Sequence, residues 1–181
     1  MTEARGQQNI DDIFHQLNDK AKKVYRFVTV YHDILHFPRD YGTGQPINMV
    51  EVHTLTDIAE RPGTTVTQLA QYWNRTPSAI CQTVKKLEAK GYIERRKEGE
   101  DAKTVHLYAT EEGKQLSMAH KLHSTISITE TLQYLRQSCT SEEIETFYKV
   151  IDRYTQLLKK EWRAKKVDKA DGLKKELTKD Y

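Results

Sequence analysis

One stretch of this 181-residue chain, residues 65–110, sets most of what the rest can become. Thr65 with Gln68 three residues on is a capping box, so the spacing predicts a helix starting there, with Val66, Leu69 and Ala70 on its buried face. Asn74-Arg75 breaks the pattern. Thr76 suits an N-cap and Pro77 the first helical position, so a second helix follows after a tight turn. In it Ile80, Val84 and Leu87 recur at i, i+4 and i+7 as one apolar stripe. Gly91 stands where a helix C-terminus favours glycine, after Lys85, Lys86 and Lys90. Residues 92–97 and 103–109 then have strand character, and the charged turn 98–102 between them makes a hairpin, or wing.

The second helix has another face. At about 100° per residue, Ser78, Gln82, Lys85 and Lys86 fall opposite the Ile80–Leu87 stripe, with Ala79 beside them. That face is polar and basic and carries no carboxylate; Glu88 lies off it. A helix held by one face and offering Ser, Gln and Lys on the other suits a reader of the DNA major groove. Ser78, Ala79, Gln82 and Lys86 would meet base edges; Thr67, Arg75, Thr76 and Lys85 would meet sugar-phosphate; Arg95, Arg96, Lys97 and Lys103 would set the wing along the minor groove.

These residues, LAQYW, AICQTVKKLEAKGYIERR and DAKTVHLYATEEG, resemble the winged helix–turn–helix core of the MarR family of bacterial transcriptional regulators. The family's wing pattern is Asp-x-Arg followed by a Thr-x-x-Gly helix start. Asp101 and Thr110-Glu-Glu-Gly113 match it; Lys103 stands in the Arg position and Ala109 where Leu is usual. The resemblance implies a mainly α protein with a small β-wing, its core at 47–113 flanked by long dimerisation helices. It also implies a ligand-responsive repressor, a homodimer on double-stranded DNA. A winged-helix module that binds protein instead of DNA is the alternative; acidic or apolar residues on the reading face would mark it, and Lys85 and Lys86 stand there instead.

Composition agrees. The net charge is only +3, but residues 61–103 hold nine Lys or Arg against five Asp or Glu, a local basic excess. No apolar run approaches the length needed to span a membrane and no signal peptide opens the chain, so a cytoplasmic protein is expected. The two cysteines, Cys81 and Cys139, make no disulfide or metal framework.

The flanks are helical in pattern. Residues 1–9 read as a flexible N-terminus, and 10–46 as a long helix and loop, with Ile10, Ile13, Phe14, Leu17, Val24, Val28, Tyr31 and Leu35 on one face. Residues 114–164 read as two further helices. Leu116, Ala119 and Leu122 lead the first, and Thr140-Ser-Glu-Glu143 caps the second, which carries Ile144, Phe147, Tyr148, Ile151, Tyr154, Leu158 and Trp162. Residues 165–181 read as a basic, flexible tail. One small winged domain cannot cover all these stripes, so a homodimer is the economical answer, reading half-sites about 10 base pairs apart.

Seven histidines add a second signal. His32-Asp-Ile-Leu-His36 resembles the His-Glu-x-x-His of zinc peptidases, but the shorter carboxylate sits too far from a metal-bound water, and no enzyme is expected. His53, His120 and His123 are candidate zinc ligands, since neutral imidazoles and a carboxylate make a tetrahedral site. Zinc-sensing MarR members place ligands at the positions of His53 and His120, and a third where this chain has Ser124. Members that sense acylated carrier protein also carry His at the first two positions. The plainer reading is that both histidines hydrogen-bond between core and flanking helices. Tyr25, Tyr31 and Tyr72 are candidates to line a small-molecule pocket, with ordinary packing as the alternative.

Overall fold

The computed structural model describes the backbone of residues 2–97 and 104–177, and the side chains of all of these except 2–9, 163 and 166–177. Its elements are α1 (Thr2–His36), α2 (Met49–Glu60), α3 (Val66–Tyr72), α4 (Pro77–Ala89), β1 (Ile93–Lys97), β2 (Val105–Ala109), α5 (Glu111–Leu135) and α6 (Ser141–Leu177). They divide into two compact units, Met1–Thr125 and Ile126–Tyr181.

In the first unit the local signals take effect as the sequence suggests. The Thr65 hydroxyl accepts from the Gln68 N–H while the Gln68 side chain accepts from the Thr65 N–H. Asn74, at φ 51°, turns the chain between α3 and α4. Thr76 caps α4 with Pro77 in its first turn, and Gly91 follows it at φ 76°, a left-handed position that favours glycine. The wing strands pair antiparallel, Ile93 opposite Ala109 and Lys97 opposite Val105.

The core gathers one face of each element: Val52, Leu55 and Ile58 of α2, Leu69 of α3, Ile80, Val84 and Leu87 of α4, Tyr92, Ile93 and Leu107 of the wing and Leu116 of α5. The loop 39–47 closes onto it. Arg39 and Ile47 bridge, the Asp40 carboxylate accepts from the N–H groups of Gly42, Thr43 and Gly44, and Tyr41 is buried. On α5 the buried row is Leu116, Ser117 and His120; Leu122, expected inside, is 65% exposed.

The helices at the two ends exceed the expected limits. Helix α1 begins at Thr2 instead of residue 10, and α6 runs to Leu177 instead of fading at 165. Residues 2–9 include Glu3, Ala4, Arg5, Gln7 and Gln8, and 166–177 are rich in Lys with Ala170, Leu173, Glu176 and Leu177, residue types whose helix propensity needs no buried stripe. Among the described side chains of α1 none is buried, and Ile10, Phe14, Leu17, Val28 and Tyr31 are each about half exposed or more. In the second unit the Thr140–Glu143 capping box forms. Ile144 of α6 is buried, while Phe147, Tyr148, Tyr154, Leu158 and Trp162 are exposed.

Candidate nucleic-acid interface

Helix α4 has two opposed faces. Ile80, Val84 and Leu87 are buried, which fixes the rotation of the helix; Ser78, Ala79, Gln82 and Lys85 are then exposed together. Thr67 and Arg75 are exposed beside them. The Thr76 hydroxyl is committed locally, accepting from the Ala79 N–H at 3.2 Å, so it shapes the helix start more than it offers a free contact. Arg75, Lys85 and Lys97 make no ion pair among the described residues. Lys103, with Asp101, lies outside the described residues.

Three of the residues expected to contact DNA have internal partners. Lys86, expected at a base edge, has its ammonium 3.5 Å from a Glu51 carboxylate oxygen. Arg95, expected along the wing groove, is half-buried, and its Nε donates to Glu88 at 2.8 Å. Strand alternation explains this: Arg95 shares the inward face of β1 with Ile93, whereas Glu94 and Arg96 point outward. Arg96 pairs with Glu94 and lays its guanidinium over the Tyr108 ring, 4.5 Å from the centroid. Glu51, absent from the expected site, is the acid that organises the far end of α4. Its partners lie 35 and 39 positions away, so no local pattern marks it.

The histidines meet at a polar corner between α2, α5 and the loop 39–47. The rings of His53 and His120 stand nearly perpendicular with centroids 4.6 Å apart. His120 is 3% exposed, and both ring nitrogens face hydroxyls: Thr56 Oγ1 at Nδ1 and Ser124 Oγ at Nε2, each at 3.0 Å. Ser117 donates to Thr56 at 3.3 Å, and the Tyr41 ring stands edge-on to His120 and to His123. Burial, then the neighbouring His53, pushes the His120 pKa down to about 4; burial also lowers that of His53, partly offset by Asp57. His120 is thus held as a neutral imidazole. His123 is exposed, and among the described residues no three His, Cys, Asp or Glu side chains gather to hold a metal. The residues present fit hydrogen bonding, with Ser124 bonded to His120.

Among the described residues the three candidate pocket tyrosines are exposed. Tyr25, Tyr31 and Tyr72 are 75%, 48% and 59% exposed. Tyr25 and Tyr31 lie on α1, whose described side chains are nowhere buried, and Tyr72 packs under Arg61 and against Trp73. His32 and His36 stack on the exposed surface of α1, where the His36 ring bonds the His32 carbonyl.

A capped helix, a left-handed turn, a second helix with one face exposed, and a two-stranded hairpin define a winged helix–turn–helix protein. Residues 47–105 match the model of the MarR family. The chain is similar to the uncharacterized HTH-type transcriptional regulator YybA of Bacillus subtilis (strain 168), 27% identical over 136 residues that cover 73% of this chain and 82% of YybA. Its fold matches that of Streptococcus pneumoniae FabT, solved in complex with DNA, at a TM-score of 0.58 and 24% identity over 80% of this chain and 96% of FabT. It also matches ZitR of Lactococcus lactis, a zinc-responsive MarR family member, at a TM-score of 0.60 and 18% identity over 78% of this chain and 99% of ZitR. The match to the MarR family covers residues 47–105 and leaves the helices α1, α5 and α6 outside it. No described helix is long and apolar enough to cross a membrane.

Proposed function

We propose that this chain is a sequence-specific DNA-binding transcriptional regulator, acting as a homodimer and as a repressor whose operator affinity responds to an effector. One observation carries the reading: α4 is rotated by its buried stripe so that Ser78, Ala79, Gln82 and Lys85 face outward together, with Arg75 alongside. Gln82 is suited to pair with a base edge, and Arg75 and Lys85 to meet phosphates. A neighbour with the same fold, FabT, has been solved on DNA. The uncovered apolar faces of α1 and α6 support a second copy as their partner. Occupying two half-sites excludes other proteins from that DNA, which makes repression the direct outcome. The buried Tyr41 hydroxyl, without a hydrogen-bond partner among the described residues and carried on a ring edge-on to His120, supports an effector site at the histidine corner.

Selecting duplexes from a random pool with the full-length protein tests this reading. A specific regulator enriches one pseudo-palindrome; recovery of unrelated sequences would refute it. On that operator, Gln82→Ala should lose about 1–3 kcal/mol while binding scrambled duplex as before. Lys85→Ala should weaken both and flatten the salt dependence by about one unit. Equal weakening of both duplexes by Gln82→Ala would mean that another side of α4 meets the bases.

A further inference from the structure

The C-terminal turns of α4 lean on a buried acid. Glu51 of α2 is 5% exposed. One of its oxygens lies 2.9 Å from Lys90 Nζ, the other 3.5 Å from Lys86 Nζ. Lys90 also donates to the Pro46 carbonyl at 3.2 Å, and its side chain is 30% exposed, so it ties the end of α4 to α2 and the loop. Lys86 differs. Its side chain is 64% exposed, on the helix proposed to read DNA, yet its ammonium is drawn to the same carboxylate. Glu88 occupies Arg95 in a similar way. Of the cations on α4, Lys85 alone has no internal acid among the described residues.

We propose that Glu51 is a specificity-determining residue: it holds Lys86 as an internal ion pair, away from DNA phosphate. The proposal rests on the DNA-reading function above. Phosphate contacts add affinity for every sequence alike and carry no base information. Moving Lys86 to a phosphate would strip one of two partners from a carboxylate that water scarcely reaches, which is costly. Keeping Lys86 on Glu51 therefore lowers sequence-independent binding and leaves the reading face to Ser78, Ala79, Gln82 and Lys85.

Full-length wild-type protein, Glu51→Gln, Lys86→Ala and the double variant are titrated with a random-sequence duplex between 50 and 200 mM salt. Glutamine keeps the shape and a carbonyl oxygen for Lys90 but removes the charge. Glu51→Gln is expected to steepen the plot of log affinity against log salt by about one unit. Its affinity should therefore change about 3- to 4-fold more than wild type across that range. The double variant should return to the wild-type slope, and Lys86→Ala alone should keep it. A wild-type slope for Glu51→Gln, or a slope flattened by about one unit in Lys86→Ala alone, would overturn the proposal. Lys86 is an exposed helix position that tolerates alanine, so that second result decides the matter even if Glu51→Gln fails to fold. Wild-type protein that binds no duplex at all overturns the DNA-reading function and this role together. Wild-type binding with unchanged variant slopes overturns only the role of Glu51.

Discussion

Gly113→Ala should destabilise the protein, although alanine is the better helix former. Gly113 is buried in the first turn of α5, where the Thr110 hydroxyl accepts its N–H at 3.1 Å. The helix start is docked on the end of the α4–β1 turn. Thr110 N–H donates to the Tyr92 carbonyl at 3.0 Å, and its hydroxyl donates to the Gly91 carbonyl at 2.7 Å. A Cβ on residue 113 would lie 2.0 Å from that Tyr92 carbonyl oxygen and 3.2 Å from Leu55 Cδ1. This is roughly 1.5 Å short of a comfortable carbon contact. The obstacle is backbone, not the tip of a flexible side chain, so helix or turn must move. Overpacking of this kind costs about 1–3 kcal/mol. The movement also stretches the Thr110–Tyr92 hydrogen bond, about 1 kcal/mol. The gain from removing a helical glycine, about 1 kcal/mol, offsets only part of this. A net loss of about 2 kcal/mol lowers the urea midpoint by about 1 M, with the slope of the transition unchanged. Urea unfolding followed by circular dichroism, at one fixed protein concentration, measures it. An unchanged or raised midpoint would refute the docking argument, because a freely solvated helical glycine would show that outcome.

Two other expectations concern titration and assembly. The unfolded His120 side chain takes up a proton near its ordinary pKa of 6.5, whereas the folded one resists until about 4. Its contribution to stability is therefore full above pH 6.5 and is lost as pH falls toward 4, on the order of 3 kcal/mol in all. Unfolding midpoints measured across that range should fall less steeply in His120→Gln, and parallel curves for variant and wild type would contradict the buried neutral imidazole. The uncovered faces of α1 and α6 predict a dimer by analytical ultracentrifugation at micromolar concentration, with Phe14→Glu on α1 shifting it toward monomer. A stable folded monomer of the wild-type protein would contradict that assignment.

Sequence alone determined the parts whose causes lie within four residues of each other. The Thr65–Gln68 and Thr140–Glu143 capping boxes, the Thr76-Pro77 start and the Gly91 stop follow from backbone groups that only near neighbours can satisfy. The Ile80–Val84–Leu87 stripe follows from the helical period, and with it the outward set Ser78, Ala79, Gln82 and Lys85. Distant partners were a different matter, because which charges and hydroxyls meet depends on how elements pack. Lys86 and Arg95 look like free cations in the chain, but the fold brings the buried Glu51 within reach of Lys86 and Glu88 within reach of Arg95. His53 and His120 were visible as a pair of positions. Only the packing of α5 against α2 brings Thr56 to one nitrogen of His120, while Ser124 meets the other from the next turn of its own helix. Tyr25, Tyr31 and Tyr72 have the composition of a pocket, but each is about half exposed or more, and no described side chain of α1 is buried. Gly113 fits a local motif in the sequence, but the reason that no side chain fits there is the Tyr92 carbonyl, 21 positions earlier and placed by the turn that follows α4.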